Sequence, residues 1–421
     1  MMQHKSFLKR NGGRLLILFS AFALLAPLIA NHRPLYINYK GHHLFPAFSF
    51  EHISGSGNEK LDYDFTDFKT LKADHIIFAL ITWFPGRSDF LNTNVGPFSN
   101  QYITDLNGHQ QKMPLRFRHW LGTNSLGADV LAGLIYGFRY SFFIGLLAVL
   151  IASLKGIILG AVAGYFGNQQ LKIRKSALIC FLLAAVYFIF LIIKIWYYQF
   201  QFKTSSTFVV LILKPAFILL ACLFLSLLLK KILEWISPSY FTGSISIPVD
   251  HLVSRLIEIT ISVPRLILVI TLASIFRPTL ISLGVILGFS LWTEIARFTR
   301  AQCMQIKSME FISAARTLGF TDSRILFKHI LLNGLGPVLV VICFAFSNVI
   351  LTESGLSFLG IGLPGKTVTW GSIISSARGN HEAWWLVVFP GLCILVTVLT
   401  LNSLADYYHK TSNAGIEKDI L

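Results

Sequence analysis

The feature that most constrains this chain is a set of apolar runs longer than an ordinary soluble core uses. Residues 138–166 read FRYSFFIGLLAVLIASLKGIILGAVAGYF, and further runs occupy 15–30, 177–196, 208–229, 252–276, 280–295, 335–356 and 385–404. Roughly 20 apolar residues carry a helix across the hydrocarbon of a bilayer. Every backbone N–H and C=O must be bonded internally there, so helix is the form such runs take. They predict an all-α, polytopic transmembrane bundle of about eight spans. Composition decides the same way. Of the residues, 54% are hydrophobic and 13% charged, against about a quarter charged in soluble domains.

The formal net charge is +16, and its placement is informative. Short loops holding Lys172, Arg174, Lys175, Lys230, Lys231, Arg297, Arg300, Lys307, Arg316, Arg324 and Lys328 alternate with loops holding only Lys203, Arg277, Lys366 and Arg378. Lys and Arg mark loops kept on the cytoplasmic side. Both termini and the segment 308–333 are therefore expected in the cytoplasm, and 31–118 and 358–384 outside. No domain-sized basic soluble segment exists, so nucleic acid is not an expected partner. Residues 15–30, preceded by Lys5, Lys9, Arg10 and Arg14, resemble a signal peptide as well as a span. The topology favours a retained first span. The run 76–84 is too short to cross. Four of the five cysteines lie in apolar runs, and their spacing suggests neither a metal site nor a disulfide framework.

Between two expected spans lies EFISAARTLGFTDSRILFKHILLN, residues 310–333. Phe311, Ala314, Ala315 and Leu318 fall on one helical face. Gly319 follows at a position suited to a left-handed helix end, and Thr321 or Asp322 can cap a second helix. In that helix Leu326, Phe327, Ile330 and Leu331 form an apolar stripe opposite Arg324 and Lys328. The expectation is a helix, a glycine turn and a second helix lying across the membrane face. Two roles stand open on these residues alone: docking of a partner, or resting on lipid headgroups.

The same stretch resembles the EAA loop of binding-protein-dependent ABC importer permeases. The family pattern is Glu-Ala-Ala, three residues, Gly, then a spaced Ile-x-Leu-Pro. Here Ala314, Ala315, Gly319 and Leu331 fit. Ser313 replaces the Glu, His329 the Ile and Leu332 the Pro, and Glu310 stands nearby. Three more stretches resemble the second permease subunit of the dipeptide/oligopeptide branch. HWLGTNSLGADVL at 119–131 is similar to HPFGTDxLGRDVL, and LTESGLSFLG at 351–360 to LTEASLSFLG. Trp370-Gly371 and Phe389-Pro390-Gly391 match SWG and FPG.

The resemblance covers 115–406 and the first span, and implies the type I importer permease fold. It divides the chain into a tail and first span (1–31), an external segment (32–137), a permease domain (138–406) and a cytoplasmic tail (407–421). An inserted helical pair, about 169–247, lies outside the family pattern; lipid-facing helices and a regulatory or partner site are its two readings. The implied partners are a second permease subunit, two ABC ATPases and an external substrate-binding protein, with peptide as cargo. Nickel, a peptide-like antibiotic or a glycan fragment are alternative cargoes. In the implied coupling loop, Glu310, Ser313, Ala314, Ala315, Arg316, Gly319, Asp322, Lys328 and Leu331 meet the ATPase. No cofactor is implied, and the chain itself is not expected to be an enzyme.

Competing signals are weaker. GIGLPGKT at 360–367 fits GxxxxGK[ST], but an apolar run precedes it where a P-loop needs a strand. It is read as a decoy. His42, His43 and His52 lack further ligands at metal spacing. An ion-coupled transporter would need buried carboxylates, for which Glu258, Glu294 and Glu353 are candidates near span ends. Lys155 lies mid-span. Such a charge either lines a path, with Glu353 as a further path residue, or pairs with an acid such as Glu353 or Glu294.

Overall fold

The computed structural model describes residues 12–39, 41–48, 68, 69, 71, 74–104, 109–169, 171–202, 218, 220, 221, 243–364 and 367–418. The expected span 208–229, the loop around Ser54, His52, Gly365 and Lys366 lie outside them, apart from isolated positions. The chain divides into two compact units, one of residues 1–161 with 257–421 and one of residues 162–256.

Helices α1 (Gly12–Ile29) and α2 (Val130–Phe166) come first. The larger unit continues with residues 257–262 of α4 (Val249–Ser262), which forms a bent pair with α5 (Arg265–Ile275), then α6 (Leu280–Lys307) and α7 (Glu310–Thr317). It ends with α8 (Asp322–Phe358), α9 (Trp370–Ser376) and α10 (Trp385–Lys418). Among the described residues, four helices, α2, α6, α8 and Trp385–Tyr408 of α10, are long and apolar enough to cross a membrane, or up to five spans if the bent pair counts as one. The expected count of eight includes 208–229, which lies largely outside those residues. Residues 19–29 and 175–191 are shorter apolar portions of helices. The expected straight span 252–276 turns through 80° between Ser262 and Arg265. Pro264 causes the break, since it lacks an N–H and restricts the residue before it.

Close helix packing rests on glycine. A Cβ on Gly160 would lie 2.4 Å from the Ala296 carbonyl oxygen, and one on Gly288 2.7 Å from that of Ala148. Gly284 meets Leu147 and Gly156 meets Ile295. Positions rise together along both chains, so α2 and α6 run parallel. Gly145 packs on Phe346, and Ser141 bonds Glu353, so α8 runs antiparallel to α2. These directions agree with alternating crossings. Gly160→Leu is expected to destabilise the chain by about 2–3 kcal/mol, because backbone blocks the added side chain. Gly355→Leu, with nothing within 4 Å of its Cβ, should be tolerated. Thermal unfolding in detergent compares the two.

The segment after α1 adds strands that the sequence reading did not contain. β1 (Tyr36–Tyr39) pairs antiparallel with β2 (His42–Leu44) and β3 (His75–Ile77) in the order β2-β1-β3. Ile37 and Phe68 are its buried centre. β4 (Tyr102–Thr104) and β5 (Gln110–Lys112) form a second pair. Around them Ala26, Ala30, Ile81, Trp83, Met113, Ala132 and Tyr136 make a core joining α1 to the start of α2.

In the second unit, β6 (Lys172–Arg174) pairs antiparallel with β7 (Ser244–Ser246), and α3 (Lys175–Phe202) follows β6. Residues 172–174 and 244–246 are thus hydrogen-bonded together across the unit.

Candidate functional site

Segment 308–333 begins where α6 ends. Helix α7 buries Ile312 and Ala315, three residues apart. It closes with both hydrogen bonds of a Schellman motif: the Phe320 N–H donates to the Ala315 carbonyl and the Gly319 N–H to that of Arg316. Gly319 has φ +76° and open space around its Cβ. Only conformation, not room, therefore selects glycine. Gly319→Val should cost about 1–2 kcal/mol locally, the penalty of a left-handed L-residue. Gly319→Asn should cost less. Amide hydrogen exchange across 310–331 reads both.

The second half differs from the expectation of a separate helix on the membrane face. Asp322 to Phe358 is one helical run, and Ile325–Leu331 within it has π geometry. The wider π turn gives this part a helical surface continuous with the span. Ile325, Leu326 and Ile330 are buried, Leu331 is half-buried, and Phe327 is 63% exposed. The expected stripe is therefore rotated by about one residue. In α7 the expected face also divides. Ala315 packs inward, while Phe311, Ala314 and Leu318 face out, Leu318 being 73% exposed. Glu310, Ser313, Arg316, Gly319, Asp322 and Lys328 are exposed as well. Phe320 stacks on His329 at 5.8 Å between centroids and lies under the Arg324 guanidinium at 4.3 Å. The result is a rigid turn presenting separated apolar side chains among charges.

Within the bundle, Glu353 is buried on α8. Its carboxylate accepts from the Ser141 hydroxyl at 2.7 Å and the Ser357 hydroxyl at 2.8 Å. Lys155 pairs with neither candidate acid. Its ammonium lies 4.3 Å from the ring centroids of both Phe289 and Trp292, a cation–π arrangement. Glu294 instead bonds Arg265 at the start of α5. Beside that pair, the bend opens a cavity of about 530 Å³ lined by Val263, Arg265, Leu266, Leu351 and Gly355. Trp370 is fully buried and its indole N–H donates to the Leu134 carbonyl at 2.9 Å. Gly371 permits the contact of α9 with α8, since a Cβ there would meet the Ser354 oxygen at 2.1 Å. The P-loop-like stretch lies between α8 and α9, with helix rather than strand before it.

One cluster was missed in the sequence. His119 is wholly buried, with Nδ1 2.8 Å from Asp129 and Nε2 3.3 Å from Asp89. Trp83 stacks on its ring at 4.0 Å, and Gln101 bonds both its backbone groups. Burial by itself lowers the His119 pKa, but the bonds to Asp129 and Asp89 outweigh it and raise the pKa above 6.5. Burial raises that of Asp89, and His119 and Asn92 more than reverse this. His119 and Asp129 belong to the HWLGTNSLGADVL stretch; Asp89 stands 30 residues earlier, which no local spacing reveals.

Apolar spans, a bent helix pair and a helix-turn at one bundle end together define a multi-pass membrane protein of permease build. Residues 236–413 match the family described as binding-protein-dependent transport system inner membrane component. That stretch includes the helix-turn and Glu353. A Brucella suis protein provisionally named a peptide transport system permease is 36% identical over 158 residues, 37% of this chain and 53% of that protein. The chain thus spans about half the length of the curated relatives it matches at that identity. The dipeptide transport system permease protein DppC of Bacillus subtilis is 26% identical over 322 residues, 75% of each chain. The inner membrane ABC transporter permease protein YejE of Escherichia coli is 25% identical over 392 residues, 91% of this chain and 87% of that one.

Proposed function

We propose that this chain is a permease subunit of an ATP-driven ABC importer of peptides. It forms half of the translocation path, and a second permease subunit forms the other half. Two ATPase subunits supply energy, and an external binding protein delivers cargo. The observation that carries this reading is the helix-turn 310–331, closed by a Schellman glycine and continuous with span α8. Force applied to α7 passes directly into a transmembrane helix, as alternating access by rigid bodies requires. The names of the relatives point to peptides as the cargo class.

In this reading the exposed Glu310, Ser313, Ala314, Arg316, Asp322 and Lys328 meet the ATPase, with Phe311 and Leu318 as apolar contacts. Ala315, Gly319 and Leu331 hold the turn. Lys155 and Glu353 belong to the path or its wall. ATP is bound by the partner subunits, not at 360–367. The segments 1–31, 32–137, 138–406 and 407–421 follow as tail with first span, external segment, permease domain and cytoplasmic tail.

Transport by the reconstituted complex tests the class. Uptake should persist when ion gradients are collapsed and stop when ATP is withheld; the reverse pattern means an ion-coupled carrier. Sidedness is tested by cysteines at Lys112 and Thr321, both exposed. An impermeant reagent added outside cells should label position 112 and not 321. Labelling of both from outside would remove the coupling role.

A further inference from the structure

Four tight turns near the start of α10 carry large apolar side chains where turns ordinarily carry Gly, Asn, Asp or Ser. In the first, the Asn92 N–H donates to the Asp89 carbonyl, the Leu91 N–H to Asp89 Oδ1, and Phe90 is 79% exposed. In the second, the Ser99 N–H donates to the Gly96 carbonyl, and Phe98 is 90% exposed. The Arg118 guanidinium bonds the carbonyls of both Pro97 and Ser99, fixing Phe98 outward. The third closes from the Gly122 N–H to the His119 carbonyl, with Trp120 53% exposed. The fourth closes from the Gly127 N–H to the Asn124 carbonyl, with Leu126 61% exposed.

The turns form one knot. Thr123 Oγ1 donates to the Asn92 carbonyl and accepts from the Val95 N–H, and the Asp89 N–H donates to the Gly127 carbonyl. The knot is seated on α10: the Trp385 indole N–H donates to the Thr123 carbonyl, and a Cβ on Gly96 would lie 3.3 Å from the Trp385 ring. Trp385 marks a definite depth. From it to residue 404 an apolar helix rises about 30 Å, the thickness of the hydrocarbon. The knot therefore sits at the hydrocarbon edge, where headgroups extend roughly 5–8 Å further. Trp384, 48% exposed, falls at helical spacing with exposed Val387, Val388, Leu392 and Leu395 on one flank of α10.

We propose that Phe90, Leu91, Phe98, Trp120 and Leu126 form a collar inserted into the boundary between lipid headgroups and acyl chains. The occupant is lipid because the turns that carry the exposed apolar tips are bonded to Trp385, at the first turn of a membrane-spanning helix. The tips are also separated by polar turn residues, as an interface half wet and half apolar requires. The collar anchors the 31–118 segment at a fixed depth beside the ends of α2 and α10. This inference needs only that α10 spans the membrane, and does not depend on cargo or on ATPase coupling.

Depth-dependent quenching tests it on the full chain in vesicles of phosphatidylcholine and phosphatidylglycerol. Phe98→Cys, Leu126→Cys and, for comparison, Lys112→Cys are labelled with an impermeant fluorescent NBD reagent. Lipid carrying a nitroxide at the 5-position of its acyl chain should quench labels 98 and 126 at least twofold more than label 112. Aqueous iodide should quench them at least twofold less. Equal responses at all three positions would overturn the collar. So would iodide access at 98 and 126 that is lost only when a purified external binding protein is added, which would mark a protein-docking surface. Because the labels replace exposed tip residues, a monodisperse folded chain is expected in each case. Should a labelled variant aggregate, intrinsic Trp quenching by the same lipid, compared between the unlabelled chain and Trp120→Phe, gives the answer: no loss of quenching would overturn the proposal.

Discussion

Leu318→Asp is expected to cut ATP-driven uptake at least tenfold while leaving the chain folded. Leu318 is 73% exposed at the end of α7, so the substitution removes no internal packing. A tenfold loss corresponds to about 1.4 kcal/mol of docking free energy, within the range of one desolvated apolar contact. Ala315→Arg should also abolish coupling, for a different reason. Ala315 is 5% exposed and its carbonyl accepts the Phe320 N–H. A guanidinium cannot fit there, and α7 must lift from the bundle end. Hydrogen exchange separates the cases: Leu318→Asp keeps protection across 310–331, and Ala315→Arg loses it. Normal substrate-stimulated ATP hydrolysis by a complex containing Leu318→Asp would refute docking through this face.

The largest effect on stability is expected at the buried histidine. His119→Ala leaves Asp129, 1% exposed, and Asp89, 13% exposed, facing each other without a cation between them. Removing one member of a buried ion pair costs about 3–5 kcal/mol. The pH dependence carries the same signature. The His119 pKa is raised, so its contribution is full below the ordinary value of 6.5 and lost as pH rises through the folded value. That of Asp89 is lowered, so its contribution is present above 3.8 and lost as pH falls through the depressed folded value. Melting temperature should therefore be highest in mildly acidic buffer and fall toward alkaline pH. In His119→Gln that alkaline decline should flatten. An unchanged decline would mean that other groups set it.

Much of the architecture is readable along the chain because a bilayer imposes a one-dimensional rule. A run of about 20 apolar residues has few forms other than a spanning helix. That rule located α2, α6, α8 and α10, and the family match bears out the permease resemblance. The Schellman glycine at 319 was equally legible, since a left-handed helix end is chosen by local sterics. Span integrity was less so. Pro264 broke the expected 252–276 span, and the helix after Gly319 ran straight on into α8 where a separate helix was expected.

Tertiary structure decided what local pattern leaves degenerate. Helix α7 carries apolar residues at Phe311, Ile312, Ala314, Ala315 and Leu318, enough for two overlapping faces. Packing against the bundle selected Ile312 and Ala315 and left the others outward. The strands of the 31–118 segment run three or four residues, too short for a period of two to register. Lys155 had two candidate acids in the sequence, but the parallel α2–α6 seam set it against Phe289 and Trp292. Asp89 and Asp129 came to share His119 only because the turn at 89–92 hydrogen-bonds the turn at 124–127. The sequence by itself determined which segments prefer lipid and where helices must stop, since both follow from neighbouring residues. The pairing of charges and the faces presented to partners needed the tertiary structure, because they join residues that meet only once the spans have packed.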